Sequence, residues 1–205
     1  MIRNVVFDMG QVLIHWTPAL LVQPFGLTGE EEKQVLRELF QSVEWVCLDR
    51  GSMTGEEVIA SVCARLPENL HGCVRELVSR WDAWVLSPMD GMAELLRELK
   101  EKGMHIYLLS NANRNLRSYF SRIPGSEYFD GLMVSAEELL LKPQHEIFAA
   151  LLSRFDLRAE ECFFVDDAPA NVEGALRAGL NATVFYGDVP RLRRELREAG
   201  IPVEA

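Results

Sequence analysis

The chain is expected to fold as an α/β protein: a Rossmann-like parallel sheet covered by helices, with a helical-bundle cap inserted after the first strand. Three features of its 205 residues point there. The apolar run Val5-Val6-Phe7 stands near the start and reads as a buried strand, central in a parallel sheet. From about Thr17 to Leu86 the pattern is helical, with few strand signals. From Ser87-Pro88 onward, helices and short apolar strands alternate, as they do when a parallel sheet is built from crossover units. The expected domains are a core of 1–16 and 87–205 and a cap of 17–86, joined at hinges near Thr17 and Ser87-Pro88.

The first strand ends in the lone carboxylate Asp8, with Gly10 two residues later, and Trp16-Thr17-Pro18 breaks the pattern. In the cap, Gly29 to Phe40 carries Val35, Leu36, Leu39 and Phe40 at helical spacing, with acids early and Arg37 late, as the helix dipole favours. Thr54 followed by Glu57 forms a capping box that opens another helix. Leu70 to Val85 reads as a third amphipathic helix, carrying Trp81 and Trp84. With Trp16 and Trp45, these tryptophans are expected to pack the interior of the bundle.

In the second half, Gly91 to Lys102 is helical with Met92, Leu95, Leu96 and Leu99 inward, and Gly103 stops it. His105 to Leu109 is a strand ending in Ser110-Asn111, followed by a helix near Asn115 to Phe120 and a short strand at Leu132 to Val134. Glu146 to Arg154 is helical, and Cys162 to Val165 is a strand ending in Asp166-Asp167. Asn171 to Ala178 is a helix closed by Gly179, Ala182 to Tyr186 is the last strand, and Pro190 to Ala199 is a terminal helix.

Composition narrows the function. A formal net charge of −10 with no basic stripe argues against a nucleic-acid partner. It leaves small phosphorylated substrates open, because a metal or one lysine reverses the local field. The longest apolar runs are too short to span a bilayer, so no membrane partner is expected. No leader pattern precedes the first strand, and a cytoplasmic location is the expectation. Cys47, Cys63, Cys73 and Cys162 lack C-x-x-C spacing and are expected as free thiols. Oligomeric state is not legible.

Four polar clusters follow apolar segments: Asp8, Ser110-Asn111, Lys142-Pro143 and Asp166-Asp167. Singly, each has an ordinary reading: Asp8 as a loop cap, Ser-Asn as a turn, Lys-Pro as a helix lead-in. The adjacent carboxylates of Asp166 and Asp167 repel unless a cation neutralises them. Parallel strands bring all these ends to one edge, where ligands of open α/β sheets bind. Hard carboxylate oxygens and a backbone carbonyl suit Mg²⁺, and no histidine or cysteine cluster competes for a softer metal. A carboxylate, a hydroxyl, an amide and a lysine around Mg²⁺ describe phosphoryl transfer, with Asp8 attacking phosphorus. Lys142, Ser110 and Asn111 would face the phosphate oxygens.

In this order the clusters resemble the haloacid dehalogenase superfamily of hydrolases, over essentially the whole chain. Phe7 to Leu13, Leu109-Ser110-Asn111, Lys142-Pro143 and Phe164 to Asn171 are similar to its four motifs. The run Ser110 to Arg114 and the turn Arg50-Gly51 are similar to the branch of α-D-glucose-1-phosphate phosphatase. The resemblance implies a Mg²⁺-dependent phosphatase of a small metabolite, a sugar phosphate. Asp8 would be nucleophile and metal ligand, and the Gly10 carbonyl a second ligand. Asp167 would bind the metal directly, with Asp166 acting through water or sharing that role.

One position departs from the family. Most of its phosphatases carry a second aspartate, the general acid and base, two residues after the nucleophile; this chain has Gly10. Three readings follow: a leaving group that needs little protonation, a substitute such as His15 or an acid near Asp49, or a nearly inactive phosphate-binding module. The first is the expectation taken here, with His15 equally readable as a loop residue against Trp16. A dehalogenase would also use Asp8 and needs no proton donor, but it has no use for the cation that Asp166-Asp167 requires. Arg50, Trp45 and Asp49 are unranked candidates for substrate contact.

Overall fold

Every residue of β1 (Asn4–Phe7) is buried, and the strand lies in the middle of a five-stranded sheet. The computed structural model describes residues 1–83 and 86–204. β2 (Ile14–His15) and β3 (Ser87–Pro88) form a separate antiparallel pair where the chain leaves the sheet and returns. β4 (His105–Ser110), β5 (Gly131–Val134), β6 (Cys162–Asp166) and β7 (Asn181–Val184) complete the main sheet in the order β5-β4-β1-β6-β7. All its pairings are parallel, with Phe7 opposite Leu108 on one side and Val165 on the other. The direction of winding reverses at β1, which makes its end the topological switch point.

Period-two alternation divides the sheet's side chains between two cores. Val5, Phe7, Ile106, Leu108, Phe163 and Val165 face one, Val6, Tyr107, Leu109 and Phe164 the other. The first is covered by α6 (Met92–Glu101) and α11 (Val189–Glu198) and is continuous with the helical segment's interior. The second is covered by α9 (His145–Arg154) and by Ala175 of α10 (Pro169–Arg177). The expected α/β sheet with helices on both faces is the observed one.

Between β2 and β3 the described chain is helical: α1 (Pro18–Val22), α2 (Glu30–Val35), α3 (Val43–Arg50), α4 (Gly55–Cys63) and α5 (His71–Arg80). α2 widens into a π-helical turn over Leu36–Phe40, a feature frequent near functional sites. The Thr54–Glu57 capping box is present in both directions. The helix expected over Leu70 to Val85 is shorter: α5 ends at Arg80 and a 3₁₀ turn covers Trp81–Ala83, while Trp84 and Val85 lie outside the described residues. Two short helices, α7 (Leu116–Tyr119) and α8 (Ser135–Glu138), follow β4 and β5. Cys47, Cys63, Cys73 and Cys162 are free. Among the described residues no helix is long and apolar enough to cross a membrane.

Candidate active site

The C-terminal ends of β1, β4 and β6 deliver Asp8, Ser110 and Asp166, because parallel strands present their ends on one edge. Asp8 continues the ladder, its N–H donating to Val165 O at 2.9 Å. Asp8, Asp166 and Asp167 can each offer a carboxylate oxygen within 4.8 Å of the others, the one such group among the described residues. The Asp166 side chain is fully buried and Asp167 is exposed.

Lys142 crosses beneath this group. Its ammonium donates to Leu109 O at 2.9 Å and to Asp166 Oδ2 at 2.6 Å, and lies 2.7 Å from Asp8 Oδ1. Burial works against its charge, but Asp8 and Asp166 more than offset that and hold the lysine above its usual range. Asn111 fixes the lysine's main chain from β4: its Oδ1 accepts from Lys142 N–H and its Nδ2 donates to Lys142 O. The loop is also held from α10, where Gly174 approaches so closely that a Cβ would stand 2.8 Å from Pro143 O.

The second carboxylate is the better satisfied. Asp166 accepts from Ala168 N–H at 2.8 Å and from Asn171 Nδ2 at 3.1 Å in addition to Lys142. Asp8 is pushed up to about 6, chiefly by burial, with Lys142 opposing and Asp166 adding to the rise. Asp167 is also raised, by burial and then by Asp166. Asp8 Oδ1 is buried without a hydrogen bond of regular geometry. Three carboxylates against one ammonium, with an under-satisfied oxygen among them, fit a hard divalent cation such as Mg²⁺.

Above the cluster opens a cavity of about 420 Å³. Asp8, Gly10, Ser110, Asn111 and Asp167 line its base, and Met9, Trp16, Phe40, Trp45, Trp81 and Tyr119 much of its wall. The rings form a connected surface: Trp16 lies 6.1 Å from Phe40, 6.2 Å from Trp45 and 6.4 Å from Trp81, centroid to centroid. The tryptophan expectation is thus corrected in part. Trp45 and Trp81 are buried in the core, yet with Trp16 they also face the cavity, because the bundle closes over the sheet edge.

Asp49, in the last turn of α3, also lines the cavity. Burial pushes its carboxyl up to about 8, against hydrogen bonds from the Trp45 side chain and the Asn113 main chain, with Asp8 adding to the rise. His15 pairs with Ser87 in the β2–β3 ladder and is not part of the lining, nor are Arg50 and Arg114. Sequence alone placed Asp49 near the site without ranking it, since helical periodicity does not say which face meets the core.

Known proteins resemble this chain in sequence and in fold. A family model described as haloacid dehalogenase-like hydrolase matches residues 2–179. The sesquiterpene phosphatase astK of Aspergillus oryzae is 29% identical over 182 residues, spanning 87% of each chain. D-ribitol-5-phosphate phosphatase of Bacteroides thetaiotaomicron is 28% identical over 189 residues, 84% of this chain and 86% of that one. The HAD family enzyme bt-2542 of the same bacterium, crystallised with magnesium and inorganic phosphate, shares the fold. Its TM-score is 0.69 at 24% identity, over 94% of this chain and 99% of that one.

Proposed function

The chain belongs to the haloacid dehalogenase-like hydrolases, and from that premise we infer that it is a Mg²⁺-dependent phosphatase of a small phosphorylated metabolite. One observation carries the reading: three carboxylates gathered where β1 and β6 end against a single ammonium, a surplus of negative charge that a divalent cation would neutralise. Carbon–halogen hydrolysis would use Asp8 in the same way but would leave that charge unused. Residues 17–86 are read as the cap domain and 1–16 with 87–205 as the core.

Asp8, Asp167 and the Gly10 carbonyl would hold Mg²⁺, with Asp166 acting directly or through water. The ion when bound supplies positive charge to the phosphate oxygens. An Asp8 oxygen attacks phosphorus in line with the departing alcohol, forming an aspartyl-phosphate. Lys142, its buried ammonium 2.7 Å from Asp8 Oδ1, favours the ionised nucleophile and would lend positive charge from beneath the site, while Ser110 lines the cavity where the equatorial oxygens would stand. Asn111, its side chain bound to the Lys142 main chain, acts by placing that lysine. Water then attacks phosphorus, releasing phosphate and restoring Asp8.

The finer expectation from sequence is a sugar phosphate, and one relative is a ribitol-5-phosphate phosphatase, another a sesquiterpene phosphatase. The lining favours the apolar alternative. Its outer wall is aromatic, and two of its polar groups are engaged: Gln11 Oε1 accepts from Trp16 N–H at 2.9 Å and Asn113 Oδ1 from Asn115 N–H at 3.0 Å. We read the substrate as the monophosphate of an alcohol with an apolar or aromatic body. The unpaired cysteines fit a reducing, cytoplasmic setting.

Phosphate release from a panel holding prenyl, aromatic and sugar monophosphates, with and without Mg²⁺, tests the reading. Asp8→Asn is the matched control, since an amide is a poor nucleophile and a poor ligand. Mg²⁺-dependent release, lost in the variant and favouring apolar esters by at least about tenfold in kcat/KM, is expected from burying one further apolar contact. Sugar phosphates as the better substrates would return the substrate to the first expectation. Release that survives in Asp8→Asn would end the phosphatase mechanism.

A further inference from the structure

The cavity floor carries the nucleophile Asp8 but no carboxylate at position 10, so the proton gained by the leaving group and lost by water needs another carrier. The lining offers four titratable side chains: Asp8, Asp49, Tyr119 and Asp167. Asp8 is assigned to attack, and Asp167 belongs with Asp8 and Asp166 to the cation group. The buried Tyr119 hydroxyl donates to Met9 Sδ at 3.8 Å, and burial raises it far above its usual range. Asp49 is not a member of the cation group and lines the same cavity from α3, near enough to Asp8 to feel its charge.

We propose that Asp49 is the general acid and base of this site, supplied by the helical segment in place of the residue missing at position 10. This rests on the phosphatase reading and goes beyond it, by assigning the proton step to a residue of α3.

The segment around Asp49 is built to hold its place. Gly51, immediately after α3, has φ +81 and approaches α8 so closely that a Cβ there would stand 2.2 Å from Ala136 O. Ser135 Oγ donates to the Asp49 carbonyl and accepts from Ala112 N–H at 2.9 Å, tying the end of α3 to the loop after β4. The Trp45 side chain one turn back and the Asn113 main chain face the Asp49 carboxyl and favour its ionised form against the burial. Backbone and side chain are therefore both referenced to the core that carries Ser110 and Asn111. Its desolvated setting keeps it protonated at neutral pH, the form a proton donor needs.

In the first half-reaction the bond from phosphorus to the substrate oxygen breaks as the Asp8–phosphorus bond forms. The departing oxygen takes the Asp49 proton and leaves as a neutral alcohol. In the second, Asp49 as carboxylate takes a proton from water while the water oxygen bonds to phosphorus and the Asp8–phosphorus bond breaks. Asp49 ends protonated, as it began. The glycine at position 10 is not a steric requirement: a Cβ there would meet only Trp16 Cβ at 3.7 Å, an ordinary contact.

The test compares p-nitrophenyl phosphate, whose leaving group departs without a proton, with 2-phenylethyl phosphate, whose leaving group needs one. Asp49→Asn should lower kcat/KM on the alkyl ester about 10²–10⁴-fold, the usual worth of a positioned acid, and at least about tenfold less on the aryl ester. Because the second half-reaction loses its base, the variant should give a burst of p-nitrophenolate and accumulate phosphoenzyme on Asp8, seen by intact mass. The burst also reports a folded enzyme. Adding Gly10→Asp to Asp49→Asn should recover alkyl-ester turnover. Equal losses on both esters, no loss, or no burst would remove Asp49 from the proton step while leaving the phosphatase reading intact. Wild-type protein that releases phosphate from neither ester with Mg²⁺ would remove both.

Discussion

Asn111 grips both polar groups of the Lys142 main chain, its Oδ1 accepting from the lysine N–H at 2.8 Å and its Nδ2 donating to the carbonyl at 3.0 Å. The strand end β4 thus sets the height of the lysine beneath Asp8, and we propose that the amide acts by positioning that lysine. Asn111→Ala leaves a half-buried N–H and C=O without these partners, at a cost of about 1–3 kcal/mol in urea unfolding. The same variant should lower kcat more than it raises KM, since Lys142 is displaced from the transition-state charge. A loss confined to KM would instead mean that the amide touches substrate.

Residues at strand ends were legible because the sheet's geometry is generic: an apolar run followed by a polar residue puts that residue at the active edge. That rule places Asp8, Ser110 and Asp166-Asp167 at the ends of β1, β4 and β6, and Lys142 follows from its order among them. The β2–β3 pair was not, since two-residue strands carry no periodicity and their pairing is set by where the chain leaves and returns. The buried Ser135 and its bond to Asp49 were equally hidden, because they join residues 86 positions apart. For the tryptophans sequence shows half the matter: it reports that a ring is buried, not whether a cavity lies on its other side.

Lys142 is the positive charge held between Asp8 and Asp166. Lys142→Met should therefore destabilise the metal-free protein by about 3–5 kcal/mol at pH 7, the cost of leaving buried carboxylates without their partner. The deficit should shrink near pH 5, where Asp8, which titrates at about 6 beside the lysine, takes up a proton. Urea unfolding at both pH values checks it. A deficit unchanged by acid would assign the loss to packing against Phe164 instead of to charge.

Stability of the metal-free protein should fall as pH rises from about 4 to about 8. Asp8 at about 6 and Asp49 at about 8 both lie above the usual 3.8, so across that window the folded state binds more protons than the unfolded one. Glu44 runs the other way: Arg65 and Ser61 hold it at about 2, so its contribution is complete above 4.5 and lost as pH falls through about 2. Melting temperatures should peak under mildly acid conditions, and Asp49→Asn should flatten the alkaline decline. Mg²⁺, which binds ionised Asp8 and Asp167, should raise the alkaline side, by about 2.7 kcal/mol at a hundred times its Kd. A profile rising steadily to pH 8 without metal would contradict the burial of these carboxyls.

Phe40 tests the aromatic wall. It closes the π-helical turn after α2, lines the cavity and packs against Trp45 with ring centroids 4.6 Å apart, while making none of the contacts assigned to Asp49. Phe40→Ala removes an aromatic face from the substrate's path, and burial of such a face is worth about 1.5–3 kcal/mol. KM for an apolar phosphate ester should rise by about one to two orders of magnitude, at 1.4 kcal/mol per tenfold, with kcat nearly unchanged, because the lost interaction is the same in ground and transition states. A small ester such as methyl phosphate, which does not reach the wall, should be hydrolysed by the variant with an unaltered KM. If both esters weaken equally, Phe40 supports the fold of the helical segment rather than the substrate, and the aromatic surface loses its claim on specificity.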